Sequence, residues 1–106
     1  MTNPVVVYKG RTTVVTLNLG VDVSAETIVS EIRTDKDVES TLIAAWDVDF
    51  ITDGTDGSCR LSLDDSVTSE IVYTNGYMDV KRISGGEPYA AFDGPLRVVF
   101  KDSVTE

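Results

Sequence analysis

Thr41–Leu63, TLIAAWDVDFITDGTDGSCRLSL, is the stretch whose reading decides the fold. Leu42, Ala44, Trp46, Val48 and Phe50 share one parity, so an extended chain points them all to one face. Cys59, Leu61 and Leu63 repeat the pattern on the way back. Between the two runs lie Asp53-Gly54 and Asp56-Gly57, pairs that supply the positive φ a tight return requires. The spacing predicts a strand over 41–51 paired antiparallel with a strand over 58–63. Trp46, the only tryptophan, falls mid-strand, where it would anchor two packed sheets.

Working outward, the remaining segments carry the same signature. Val5–Tyr8 reads as a short strand after Asn3-Pro4, since proline suits the start of an edge strand. Arg11–Leu19 follows with alternating Thr13, Val15, Leu17 and Leu19. Thr27–Arg33 places Ile28 and Ile32 inward. Tyr77–Ile83 does the same with Met78 and Val80, and Leu96–Lys101 with Leu96, Val98 and Phe100. Tyr89–Phe92 reads as an edge piece broken at Asp93-Gly94-Pro95. The one helical candidate is a single turn in DDSVTSEIVY, capped by Asp64 or Asp65, with Val67 and Ile71 folded onto the core. About seven short strands with frequent turn signals and almost no helix predict an all-β, antiparallel, immunoglobulin-like sandwich, one domain spanning residues 1–106. Its expected core anchors are Leu42, Trp46, Val48, Phe50, Leu61, Val80, Val98 and Phe100.

Composition narrows the function. The 106 residues hold 18 acidic and 9 basic side chains, a formal charge of −9. Phosphate neutralisation needs clustered Lys and Arg, and here only Lys81-Arg82 are adjacent, so nucleic acid is not an expected partner. No run approaches the ~20 apolar residues of a membrane span, and MTNPVVVYKG lacks the basic and apolar regions of a signal peptide. A product made in the cytoplasm, or assembled into something there, is expected. The single cysteine, Cys59, excludes an internal disulfide and reads as a small buried hydrophobe.

No catalytic constellation emerges. Histidine is absent, which removes the commonest general base and the usual zinc ligand. Asp47 and Asp49 lie about 7 Å apart on one strand face, a spacing open to carboxylate chemistry but typical of a solvated face. Asp47, Asp49, Asp53 and Asp56 with two glycines resemble a calcium loop in composition only. An EF-hand register starting at Asp49 puts Ile51 at the third position and Arg60 at the twelfth, where ligands belong. Phosphate-binding glycine motifs are missing. No metal or cofactor is therefore expected, nor an enzyme.

One surplus calls for a partner. Val5, Val7, Ile43, Ile51 and Val99 are apolar where the alternation predicts solvent, and an apolar second face or edge predicts protein contacts. These five are the candidate interface of a homo-oligomer.

The order of features also resembles a known family. VYKGRT leads into VVTLNL; TIVSEIR, the D-G turn with CRLSL, and DDSVTSEI follow. Then come Asn75-Gly76-Tyr77-Met78-Asp79-Val80 and the closing Gly94-Pro95-Leu96-Arg97-Val98-Val99-Phe100, with Asp102-Ser103-Val104-Thr105. This is similar to the small immunoglobulin-like domain at the N-terminus of phage baseplate upper proteins and related virion accessory proteins. Arg11 stands where an acidic residue is usual, and Met78 replaces the second tyrosine of the G-x-Y-x-Y-D-V segment. The resemblance implies a non-enzymatic packing domain that docks on other virion proteins, as an oligomer, in the virion of a tailed phage. Since the chain stops after the sandwich, a tail, baseplate-accessory or head-decoration subunit is expected rather than a complete receptor-binding protein. The rival expectation is a carbohydrate- or receptor-binding module with Tyr73, Tyr77 and Tyr89 as its platform.

Overall fold

The computed structural model describes residues 4–37, 39–90 and 95–102. Asn3, Phe92, the Asp93-Gly94 break and the closing residues from Ser103 lie outside that range. In chain order the strands are β1 (Val5–Tyr8), β2 (Thr13–Asn18), β3 (Thr27–Arg33), β4 (Leu42–Ala45), β5 (Asp47–Phe50), β6 (Ser58–Leu63), β7 (Asn75–Ser84), β8 (Glu87–Ala90) and β9 (Leu96–Lys101), with one helical turn, α1 (Asp65–Thr68), after β6. Six strands form one sheet, in the order β1-β9-β7-β3-β4 with β8 also on β7; β2-β6-β5 form the other. The two layers pack against one core as an all-β sandwich.

The long strand expected over 41–51 divides at Trp46. Its first part, β4, pairs with β3 in the six-stranded sheet; its second, β5, pairs with β6 in the other. Only Asp47–Phe50 therefore joins the predicted hairpin, in the register Val48↔Leu61 and Phe50↔Cys59. The chain passes from one layer to the other at Trp46, whose backbone N–H donates to the Ser30 carbonyl at 2.9 Å. Because each layer turns its inner face toward the other, Ala44, Trp46, Val48 and Phe50 all face the core across the switch. Trp46 is 5% exposed, and its indole Nε1 is buried with no hydrogen-bond partner among the described residues. Val48 and Phe50, on an edge strand, are half-buried against the core.

Leu42 breaks the expectation: it is 46% exposed and anchors nothing. Ile32 opposes Ala44 but the next residue, Arg33, opposes Leu42, so Ile43 is an extra residue in β4. Such a bulge reverses the side-chain phase beyond it. Ile43, expected on the solvent side, consequently turns toward the core and packs over Gly76, where an added Cβ would stand 2.9 Å from its Cδ1. The first strand needs the same correction. Val7 is fully buried and Val5 half-buried against the core, while Val6 and Tyr8 face out. β1 runs parallel to β9, the one parallel pairing among the described residues, with Val7 opposite Phe100. Its phase follows the inward Val98 and Phe100.

The buried set is otherwise the expected one: Leu61, Val80, Val98 and Phe100 join Ile28, Ile32, Cys59, Leu63 and Met78. In the turn after β6, Thr68 rather than Val67 is the buried residue, and its hydroxyl donates to the Arg11 carbonyl at 2.7 Å. Asp64 occupies the N-cap position without a side-chain capping bond. Ile71 packs inward as expected. At one end, Arg82 donates two 2.7 Å hydrogen bonds to the Glu26 carboxylate, tying the start of β3 to β7.

Candidate interaction surface

Strand register places every outward side chain of the six-stranded sheet. Opposed residues share a face, so rows of side chains run across the strands, four of them toward the β1–β9 end. Tyr8 stands beside Lys101, and Val6 beside Val99 and then Asn75. Arg97, Tyr77, Arg33 and Leu42 make the next row; Asp79 and Glu31 with Ala45 make the one beyond. The β1–β9 flank is apolar and aromatic: Tyr8 is 46% and Val6 36% exposed, with Val99 half-buried between them. Of the five candidate interface residues, Val99 thus lies in an outer patch. Ile51 is exposed in the loop after β5, far along the chain from it. Val5, Val7 and Ile43 face the core instead. Sequence alternation missed Val6 and Tyr8 because the phase of a four-residue strand cannot be set without its partner.

Beside the patch, a groove of about 200 Å³ opens on the same face, lined by Val29, Tyr77 and Pro95 among charged side chains of both signs. Lys36 holds its ammonium 5.2 Å from the Tyr77 ring centroid, within range of a cation–π contact. Glu31 and Asp79 oppose each other directly, a pairing that is unfavourable on its own. The Arg33 guanidinium lies 3.1 Å from Glu31, which offsets the repulsion, and also donates to the Ser40 carbonyl at 2.8 Å, tying Ser40 to the sheet.

The tyrosine platform does not assemble on one surface. Tyr77 faces outward, but Tyr89 opposes Arg82, whose parity is that of the inward Met78 and Val80. Tyr73 lies in the connection before β7.

Further acidic residues lie on the other layer and in its loops. Asp47 and Asp49 project from β5 away from the core, Asp49 opposite Arg60. Asp22 and Asp53 close the loops at one end as local caps. Hydrogen bonds from the Ser24 backbone and hydroxyl hold the Asp22 carboxyl below its ordinary value, and the Thr55 hydroxyl and backbone do the same for Asp53. Among the described residues no group of three or more metal-binding side chains comes together. Cys59 is buried, and desolvation pushes its thiol up from the ordinary value. No family model and no curated protein matches the chain.

Proposed function

We propose that this chain is a structural subunit of a tailed-phage virion, in the tail, baseplate periphery or head decoration, that acts by docking through the outer face of its six-stranded sheet. The observation that carries the docking reading is the contiguous patch of Val6, Tyr8 and Val99 beside β1, the edge strand of the sheet among the described residues. Exposed apolar residues gathered at a sheet edge favour contact with another protein over solvent. The virion setting rests on the order of motifs from VYKGRT to GPLRVVF, which is similar to that of baseplate-associated immunoglobulin-like domains. In this reading the protein works as a homo-oligomer, needs no cofactor and performs no reaction. Burial at the patch supplies the energy, and the charged surroundings restrict wrong partners.

A receptor- or glycan-binding role for the tyrosines has less support, since Tyr77 and Tyr89 face opposite ways. The test is genomic and then biochemical. Neighbouring genes should encode capsid, portal or tail proteins, and mass spectrometry of purified virions should recover the chain at fixed stoichiometry. Neighbours of metabolic type, or virions lacking the chain, would contradict the proposal.

A further inference from the structure

The backbone of β1 is divided between two sides. Pairing with β9 is parallel and takes up alternate residues of the strand. The Lys9 N–H donates to the Lys101 carbonyl at 2.9 Å while the register sets Tyr8 against Lys101, so the groups of Val5, Val7 and Lys9 turn to β9. Those of Pro4, Val6 and Tyr8 turn away, to the side where no strand lies among the described residues. Pro4 has no N–H, and the Tyr8 carbonyl accepts from the Arg11 N–H at 3.2 Å. The edge is left with the Val6 and Tyr8 N–H groups as donors and the Pro4 and Val6 carbonyls as acceptors. None of these has a hydrogen-bond partner among the described residues.

That set is its own complement. We infer that β1 pairs antiparallel with β1 of a second copy, Val6 opposite Val6, so that two six-stranded sheets join into one across a two-fold axis. The inference rests on the docking reading of the Val6–Tyr8 patch and names its partner. In this register each Val6 N–H donates to the other Val6 carbonyl, and each Tyr8 N–H to the other Pro4 carbonyl. The bond such a ladder lacks, from Pro4 to the Tyr8 carbonyl, joins a residue without a donor to an acceptor already engaged. Sliding Val6 opposite Tyr8 asks that engaged carbonyl for a second bond; sliding Val6 opposite Pro4 removes a donor from each pair. A two-fold axis perpendicular to the sheet also keeps outer face with outer face. Val6 then meets Val6 and Tyr8 meets Pro4 beside Val99, and the half-buried Val5 meets Val7 on the core side. β1 carries no charged side chain, so no like charges oppose each other within the pairing. Each copy has one β1, and the contact closes at two copies.

Sedimentation velocity and amide exchange by NMR, over one concentration series of the wild-type chain, test this. The chain should pass from monomer to dimer and stop there, with the Val6 and Tyr8 amides exchanging more slowly in the dimer by roughly tenfold or more. The Val7 and Lys9 amides, already bonded to β9, should change less. Val6→Pro removes the edge N–H and leaves the bonds of its neighbours to β9 in place, so it should be monomeric where wild type is dimeric. Val6→Thr keeps the N–H and should still dimerise; circular dichroism checks the folding of both. If Val6→Pro does not fold, the exchange rates of the wild type decide. Dimers whose Val6 and Tyr8 amides exchange as fast as in the monomer overturn the strand pairing and leave the patch as a docking surface. Growth beyond two copies without a dimer plateau overturns the two-fold closure. A wild-type chain monomeric at every concentration overturns the inference, and purified virions then separate it from the docking reading. Loss of Val6→Pro from them assigns the edge to a strand of another virion protein, whereas Val6→Pro and Val6→Asp retained at full stoichiometry contradict the docking surface as well.

Discussion

Two residues either side of one bulge make different contributions from neighbouring positions. Ile43 packs over Gly76 and Leu42 stands in solvent, so Ile43→Asp should place a carboxylate at a half-buried site and lower stability, visible as a reduced midpoint in urea. Leu42→Asp should change stability little by the same measurement, since surface substitutions usually fall within about 0.5 kcal/mol. The sequence pattern alone predicts the reverse, because one inserted residue shifts the phase and nothing in the letters LIAA marks the insertion. Trp46 was legible: a lone large aromatic on the inward parity of the longest alternating run. Trp46→Ala should cost about 3–5 kcal/mol in denaturant unfolding. Gly57 has φ +77, and a Cβ there would meet the Val21 carbonyl oxygen at 2.6 Å. Gly57→Ala therefore combines a left-handed backbone with a backbone clash and should destabilise by more than the roughly 1 kcal/mol ordinarily lost for φ alone. The D-G pair pointed to that turn in advance, but not to the neighbouring loop that crowds it.

At the scale of elements, alternation identified most strands and gave the right phase for β3, β6, β7 and β9. It could not identify which sheet a strand joins. The 41–51 run keeps one parity throughout although its halves lie in different layers, because the inner faces of the two layers oppose each other. Parallel pairing of β1 with β9 was equally hidden, as it joins residues more than ninety positions apart. The Arg82–Glu26 pair that fastens β7 to the start of β3 gives this level its own prediction. Hydrogen bonds from Arg82 hold the Glu26 carboxyl below its ordinary value of 4.5. A carboxyl depressed in the folded state contributes stability above its unfolded value, and that contribution is lost as pH falls through the folded one. Asp22 and Asp53, depressed from 3.8, act in the same direction somewhat lower. Stability should therefore decline on acidification below about pH 4.5. Glu26→Gln should be less stable than wild type at pH 7 and should lose less on acidification, measured by thermal melts across the range. Parallel acid profiles for the two proteins would show that the pair does not set the slope.

At the scale of the whole molecule, the sandwich presents two faces of different character. One is apolar along β1–β9 and carries charges of both signs beyond it; the other carries Asp47, Asp49 and Arg60 among polar residues. The acidity of the chain was plain from composition, but the sheet switch at Trp46 was not, and it is this switch that sends Asp47 and Asp49 to the layer opposite Arg33 and Arg97. The candidate interface was legible only as an excess of apolar residues. Register then exchanged Val5, Val7 and Ile43 for Val6 and Tyr8 around the retained Val99. The docking face is tested most directly by sedimentation velocity of the wild type and of Val6→Asp over a concentration series, with thermal melts of both. The account predicts concentration-dependent assembly of the wild type and a monomeric Val6→Asp with an unchanged melting temperature. Identical sedimentation of the two proteins at every concentration would contradict it.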